Sequence, residues 1–228
     1  MNKYLLGLIA VISLSVGIIG FYLIKNSNEL PAPEFALHYQ QPRTITNFSF
    51  TDELGQTFQN EQLNGKWSFI FLGYTSCPDV CPMTLQKLHV IYDDLLKVTD
   101  KTQVILVSVD PQRDTQEKLS QYIAYFNPDF KAVRADHDVL FPFARSIGLM
   151  YAITDYNSDS ADLTNSSTTD KNYWVDHSAS MVLINPEGKV AAIFKPEQKA
   201  GEVPHIDKNK LVSDYPKIVA LYQKKSLL

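Results

Sequence analysis

Cysteine is nearly missing from this 228-residue chain: only Cys77 and Cys81 occur. A scaffold held by several disulfides and a four-cysteine zinc or iron–sulfur site are thereby excluded. A surplus of positive charge is missing too, with 21 Lys and Arg against 25 Asp and Glu and a formal net charge of -4. A phosphate backbone finds no counter-charge here, so nucleic acid is not an expected partner. No internal repeat is visible. The length suits one folded domain plus an appendage, and 45% hydrophobic with 20% charged residues is the make-up of a globular protein, not a disordered one.

The N-terminus holds the one long apolar run, the 21 residues from Tyr4 to Ile24, bracketed by Lys3 and Lys25. As a helix it would be about 30 Å long, the thickness of a hydrocarbon core. A cleavable signal peptide also begins with a positive residue and an apolar run, but ends in small residues. Phe21-Tyr22-Leu23-Ile24-Lys25 offers no such site, so a retained transmembrane helix is expected. No cysteine follows the run to take a lipid. The chain after residue 25 carries a formal charge of -6 and is expected outside the membrane. Its cysteines would then face an oxidising space.

Residues 1–25 thus read as an anchor, 26–45 as a tether with Pro31, Pro33 and Pro42, and 46–228 as the folded domain. Phe48, Phe50 and Phe58 around the turn Asp52-Glu53-Leu54-Gly55 suggest a small hairpin. Trp67 to Gly73 and Val104 to Val109 are apolar runs suited to strands buried on both faces. Between them Leu85, Leu88, Ile91, Tyr92, Leu95 and Leu96 make one stripe of a helix from Pro82 to Lys97, with Pro82 at its first position. Asp114-Thr115-Gln116-Glu117 resembles a capping box opening a helix through Tyr125. A strand over Phe130 to Arg134 and a helix over Val139 to Ile147, stopped by Gly148, continue the alternation of an α/β sheet with parallel crossovers. Beyond a strand over Leu149 to Tyr156, residues 157–171 read as a solvated polar loop. Met181 to Asn185 and Val190 to Phe194 pair about the turn Pro186-Glu187-Gly188, and a helix over Leu211 to Tyr222 closes the chain.

Cys77-Pro78-Asp79-Val80-Cys81-Pro82 joins the end of a buried strand to the start of a helix. In α/β folds chemistry is exposed at that junction, and the helix N-terminus favours thiolate. The pair can close a disulfide or hold a metal ion. Two soft thiolates suit Cu(I), whereas structural Zn(II) takes four protein ligands. A copper site asks for a third ligand from His38, His89, His137, His177 and His205. His38 sits in the expected tether, His89 and His137 on helices, and His205 in a polar loop. His177, in Trp174-Val175-Asp176-His177-Ser178-Ala179, precedes the strand from Met181. In a thioredoxin-like sheet that loop faces the cysteine loop, and redox members carry a proline there.

Three segments resemble the signatures of the Sco/SenC family in order and separation: Tyr74-Thr75-Ser76-Cys77-Pro78-Asp79-Val80-Cys81-Pro82, Ser108-Val109-Asp110-Pro111-Gln112-Arg113-Asp114-Thr115, and Asp176-His177-Ser178-Ala179. The resemblance covers roughly Thr46 to Tyr222. It implies an α/β, thioredoxin-like sheet with flanking helices, preceded by one N-terminal transmembrane helix. It further implies copper, Cu(I) or Cu(II), on Cys77, Cys81 and His177, with Cys77 and Cys81 also a redox-active pair. The implied partner is cytochrome c oxidase subunit II, whose dinuclear copper site the family helps to assemble, with an upstream copper donor and a thioredoxin-like reductant beside it. The implied location is a bacterial inner membrane, single-pass, with the domain facing the periplasm.

The same residues support two functions. One is a copper metallochaperone, in which His177 completes the site. The other is a thiol-disulfide oxidoreductase reducing the client's cysteines, which does not require His177. A copper or redox sensor is a third reading that the sequence does not separate from delivery. Asp79 is expected to cap the helix after the cysteines or to tune the thiols or a partner contact, and Asp110 and Asp114 to shape their loop and start the next helix.

Overall fold

In the computed structural model, which describes residues 3–27, 30–155, 173–198 and 201–226, helix α1 (Lys3–Ser27) precedes strand β1 (Ala36–Arg43), the hairpin β2 (Ser49–Asp52) and β3 (Thr57–Gln59), and a 3-10 turn over Asn60–Leu63. Then come β4 (Trp67–Gly73), α2 (Val80–Val98), β5 (Thr102–Ser108), α3 (Gln116–Phe126), β6 (Lys131–Arg134) and α4 (His137–Ser146). The ribbon β7 (Tyr151–Asp155) and β8 (Tyr173–His177), the hairpin β9 (Met181–Ile184) and β10 (Val190–Phe194), and helix α5 (Lys208–Ser226) complete the order. The described strands form an eight-stranded sheet, β1-β10-β9-β4-β5-β6-β2-β3, with β7 and β8 as a separate antiparallel pair.

The centre of the sheet is parallel: β4 pairs with β5 from Trp67↔Thr102 to Gly73↔Ser108, and β5 with β6. β9 runs antiparallel on the other side of β4. Every residue of β4 and β5 is buried, because alternate side chains enter cores on opposite faces. Phe69, Phe71, Leu106 and Leu183 pack under α2, α3 and α5 through Leu85, Leu88, Leu119, Leu211 and Tyr215. Ile70, Leu72, Ile105 and Val107 pack with Phe48, Phe50, Leu140 and Phe143 of the β2–β3 hairpin and α4. The expected α/β alternation and both hairpins are present.

The stretch expected as a tether to residue 45 is largely part of the domain. β1 within it pairs antiparallel with β10, Ala36 opposite Phe194. Its entry is pinned by the buried Asp214 of α5, which accepts the N–H groups of Glu34 (3.0 Å), Phe35 (2.6 Å) and Ala36 (2.9 Å) and the Lys217 ammonium at 3.2 Å. Burial pushes the Asp214 carboxyl up, but these donors outweigh it and hold the group below its ordinary value of 3.8. Asp214 therefore contributes stability that is complete above the ordinary carboxylate range and lost as pH falls through its lowered pKa. Asp214→Ala is expected to cost about 3 kcal/mol and to remove part of the acid sensitivity of unfolding, as read by denaturant melts from pH 7 down to 3.

Three local expectations shift by one or two residues. α2 begins at Val80, so Pro82 occupies the third helical position, where its missing donor still costs nothing. α3 is capped by Thr115, whose Oγ1 accepts from the Lys118 amide, and not by Asp114. The strand expected to end at Tyr156 is described as far as Asp155, and the polar segment 157–171 lies outside the described residues.

α1 is a 25-residue helix whose described side chains, among them Tyr4, Leu8, Ile12, Leu14, Ile18 and Phe21, are exposed. Among the described residues no helix is long and apolar enough to cross a membrane. In α1 the side chains of Lys3, Leu5, Leu6, Ala10, Ile19 and residues 22–27 lie outside them. The transmembrane helix expected over Tyr4 to Ile24 thus rests on the sequence.

Candidate metal centre

The cysteine loop leaves β4 at Gly73, where only a residue without a side chain fits. A Cβ here would lie 2.6 Å from Leu106 Cδ1 and 2.9 Å from Cys81 Sγ, so the glycine makes the space in which the Cys81 sulfur sits against the strand end. Cys81 is buried on the first turn of α2, and Cys77 is half-buried in the loop before it. Both are free thiols.

Asp79 stands at the N-cap of α2 but its side chain makes no capping bond. The Cys77 sulfur takes that role, accepting the Cys81 N–H at 3.5 Å. The Cys81 thiol donating to it lowers the Cys77 pKa most. Burial opposes, while His177 and the Cys81 and Asp79 amides lower it further. Cys81 is pushed the other way by its bond to Cys77, by burial and by the charge on Cys77. The two sulfurs are thus pulled apart, Cys77 toward thiolate and Cys81 toward thiol.

His177, at the end of β8, places Nε2 3.5 Å from Cys81 Sγ. Its Nδ1 lies 3.2 Å from the Ser178 carbonyl, which can only accept, so this contact orients the ring with Nε2 toward the sulfurs. The ligating atoms of Cys77, Cys81 and His177 all lie within 4.8 Å of one another. Two thiol sulfurs and one imidazole nitrogen at that spacing fit a single soft or borderline metal ion. The other histidines stand elsewhere. His38 is on β1, where burial lowers its pKa, His89 is exposed on α2, His137 bonds Tyr151 Oη at 2.8 Å, and His205 bridges to Glu197.

The segment 110–114 builds the floor of the site. Asp114, fully buried, accepts from the Thr75 amide at 3.1 Å, Thr75 Oγ1 at 2.5 Å and Ser108 Oγ at 2.6 Å, tying the cysteine loop to the end of β5. Asp110, also buried, accepts from Arg113 Nε and from Tyr173 Oη. The Arg113 guanidinium lies 4.1 Å from the Tyr173 ring centroid and 5.7 Å from that of Tyr74. Tyr74 in turn meets the His177 ring edge-on, centroids 5.8 Å apart. Burial, then the two cysteine sulfurs, push the Tyr74 hydroxyl pKa up to about 12. The sequence named Asp110 and Asp114 without their partners and Tyr74 and Thr75 only as part of a motif, and Tyr173 was missed. The alternation of buried Tyr173 and Val175 with exposed Trp174 and Asp176 is the signal that marks β8 as a strand with one inward face.

Fold and cluster together define a thioredoxin-like domain with two thiols and an imidazole set to ligate a metal. The SCO1/SenC family model matches residues 37–209, and the chain belongs to that family. A SCO2-like protein of Rickettsia prowazekii is 28% identical over 212 residues, 92% of this chain and 98% of that protein. Among solved structures, Arabidopsis thaliana ScoI with copper bound superposes with a TM-score of 0.64 at 26% identity, covering 78% of this chain and 99% of that one. Yeast Sco1 with copper bound gives 0.61 at 25% identity, covering 80% and 90%.

Proposed function

We propose that this protein is a membrane-anchored copper metallochaperone that binds copper through Cys77, Cys81 and His177 and delivers it to the dinuclear copper site of cytochrome c oxidase subunit II. The single observation that carries the reading is His177 Nε2 held 3.5 Å from Cys81 Sγ, since disulfide exchange needs no imidazole there. The copper-bound state of two family members supports the choice of ion. So does the donor set, two thiolates and one imidazole, which suits Cu(I).

Cargo uptake takes the proton from Cys81, so that both sulfurs ligate as thiolates while His177 Nε2 supplies the third ligand. Three protein ligands leave the ion open to an incoming client thiolate, which displaces the ligands stepwise. The last to leave regains its proton. The anchor over Tyr4 to Ile24 would hold the domain on the periplasmic side of a bacterial inner membrane. The nine residues between Ile24 and Glu34 reach at most about 30 Å, which keeps the site near a membrane-bound client and raises its effective concentration.

A second reading, reduction of a client disulfide, is favoured by the thiolate character of Cys77. Cys77 would attack one client sulfur and expel the other as thiolate. Cys81, losing its proton, would then attack Cys77 Sγ, release the second client thiol and leave a Cys77–Cys81 disulfide. Mixing the Cu(I)-loaded protein anaerobically with the reduced, copper-free copper-site domain of subunit II separates the two. Copper transfer to the client within minutes, abolished by Cys77→Ser, is expected. Retention of copper, with reduction of the oxidised client domain instead, would select the second reading.

A further inference from the structure

The ligands of the cluster come from two separate supports, the β4–α2 loop and the end of the β7–β8 ribbon, and the sheet's hydrogen bonds do not join them. The ribbon is a separate pair. The ribbon packs into the core through Tyr151, Tyr173 and Val175, and beside the cluster Arg113 spans the gap with polar bonds. Its Nε binds the buried Asp110, its Nη1 donates to the Tyr173 carbonyl at 3.2 Å, and its Cζ lies over the ring of Tyr173 on the ribbon, 4.1 Å from the centroid, and 5.7 Å from that of Tyr74 on the cysteine side. Asp110 closes the circuit by accepting from Tyr173 Oη. Its own loop is fixed by the Asp110 N–H to Ser108 Oγ at 3.2 Å and by Arg134 Nη2 donating to the Pro111 carbonyl at 2.7 Å. Tyr74 carries the restraint onward, edge-on to His177.

We propose that Arg113, anchored by Asp110, is a positioning residue for His177: it clamps the ribbon to the cysteine side so that the imidazole stays within reach of the two sulfurs. The proposal rests on the copper-binding reading for its functional consequence but not for its geometry. A lysine would keep the positive charge that Asp110 requires. It would lose the planar fork, which bonds a carboxylate and a carbonyl at once while stacking on rings.

The test is a double-mutant cycle: Arg113→Lys, His177→Ala and the double variant, each titrated with Cu(I) against a chromophoric chelator and melted as the metal-free protein. Arg113→Lys is expected to weaken Cu(I) binding about tenfold when His177 is present, the lower end for loss of an outer partner of a metal ligand, and to change nothing when His177 is already alanine. Equal loss in both backgrounds, or no loss in either, overturns the proposal, because Arg113 then acts on the fold or on nothing. Should Arg113→Lys not fold, Tyr173→Phe removes the hydroxyl that binds Asp110 and is expected to give a severalfold loss with the same dependence on His177. If the parent protein binds Cu(I) without regard to His177→Ala, the copper reading fails, and the clamp is then judged on the metal-free protein alone. There the His177 ring NMR signals are expected to broaden or double in Arg113→Lys while the ring signals of Tyr215, in the other core, keep their shifts. Unchanged His177 signals overturn the clamp.

Discussion

Changing Cys77 and Cys81 together to serine is expected to lower Cu(I) affinity by about 10⁴-fold or more, with the fold retained. The magnitude comes from ligand count. Structural zinc gains about 10–16 kcal/mol from four ligands, or about 3 kcal/mol each, so two lost thiolates remove about 6 kcal/mol. Serine is close to isosteric, and the hydroxyl at 77 can still accept the Cys81-position amide that caps α2. Cys81 is buried against Gly73, where the smaller oxygen leaves a slight gap and no clash. Unfolding transitions within about 1 kcal/mol of the parent should therefore accompany the loss of copper, which separates a ligand effect from a folding effect. The measurement is equilibrium competition for Cu(I) beside denaturant melts of the metal-free protein.

Asp114→Ala has the largest effect expected on the fold itself. The carboxylate is fully buried and takes three donors, the amide and hydroxyl of Thr75 and the hydroxyl of Ser108. Alanine leaves all three without their protein partner, the Ser108 hydroxyl in a buried place, and opens a small cavity, for a cost of about 4 kcal/mol. Thr75 lies two residues before Cys77, so the loss reaches the cysteine loop. Faster alkylation of Cys81, the buried thiol, should accompany the lower unfolding midpoint. The pH dependence carries the opposite sign to that of Asp214. Burial is the largest cause acting on Asp114, and it raises its pKa above 3.8 despite the bonds from Ser108 and Thr75. Its ionisation therefore costs stability as pH rises from 3.8 through the raised pKa, and that negative slope should be absent from Asp114→Ala.

The site was legible where its chemistry is local. Two cysteines at a strand-to-helix junction announce themselves by residue type, and the apolar runs of β4 and β5 announce a buried parallel centre. His177 needed more, since 96 residues separate it from Cys81, and only its place before the strand from Met181 marked it out among five histidines. What stayed hidden depends on distant partners. Residues 36–43 carry Pro42 and little periodicity, and they are a strand because β10 offers an edge and because Asp214, 178 positions beyond Ala36, gathers the preceding amides. Asp114 looks like a helix cap from its neighbours, yet it serves Thr75, 39 positions away, and leaves the cap to Thr115. Arg113 and Tyr173 lie 60 positions apart, so no local pattern joins them.

His177 is where metal delivery and disulfide chemistry part. The most direct test is anaerobic Cu(I) titration of the reduced protein and of His177→Ala under a competing chelator. One tight equivalent, weakened about a hundredfold by the loss of one ligand worth about 3 kcal/mol, is the expected result. An affinity that ignores His177→Ala would contradict the three-ligand site and leave the two cysteines as a redox pair.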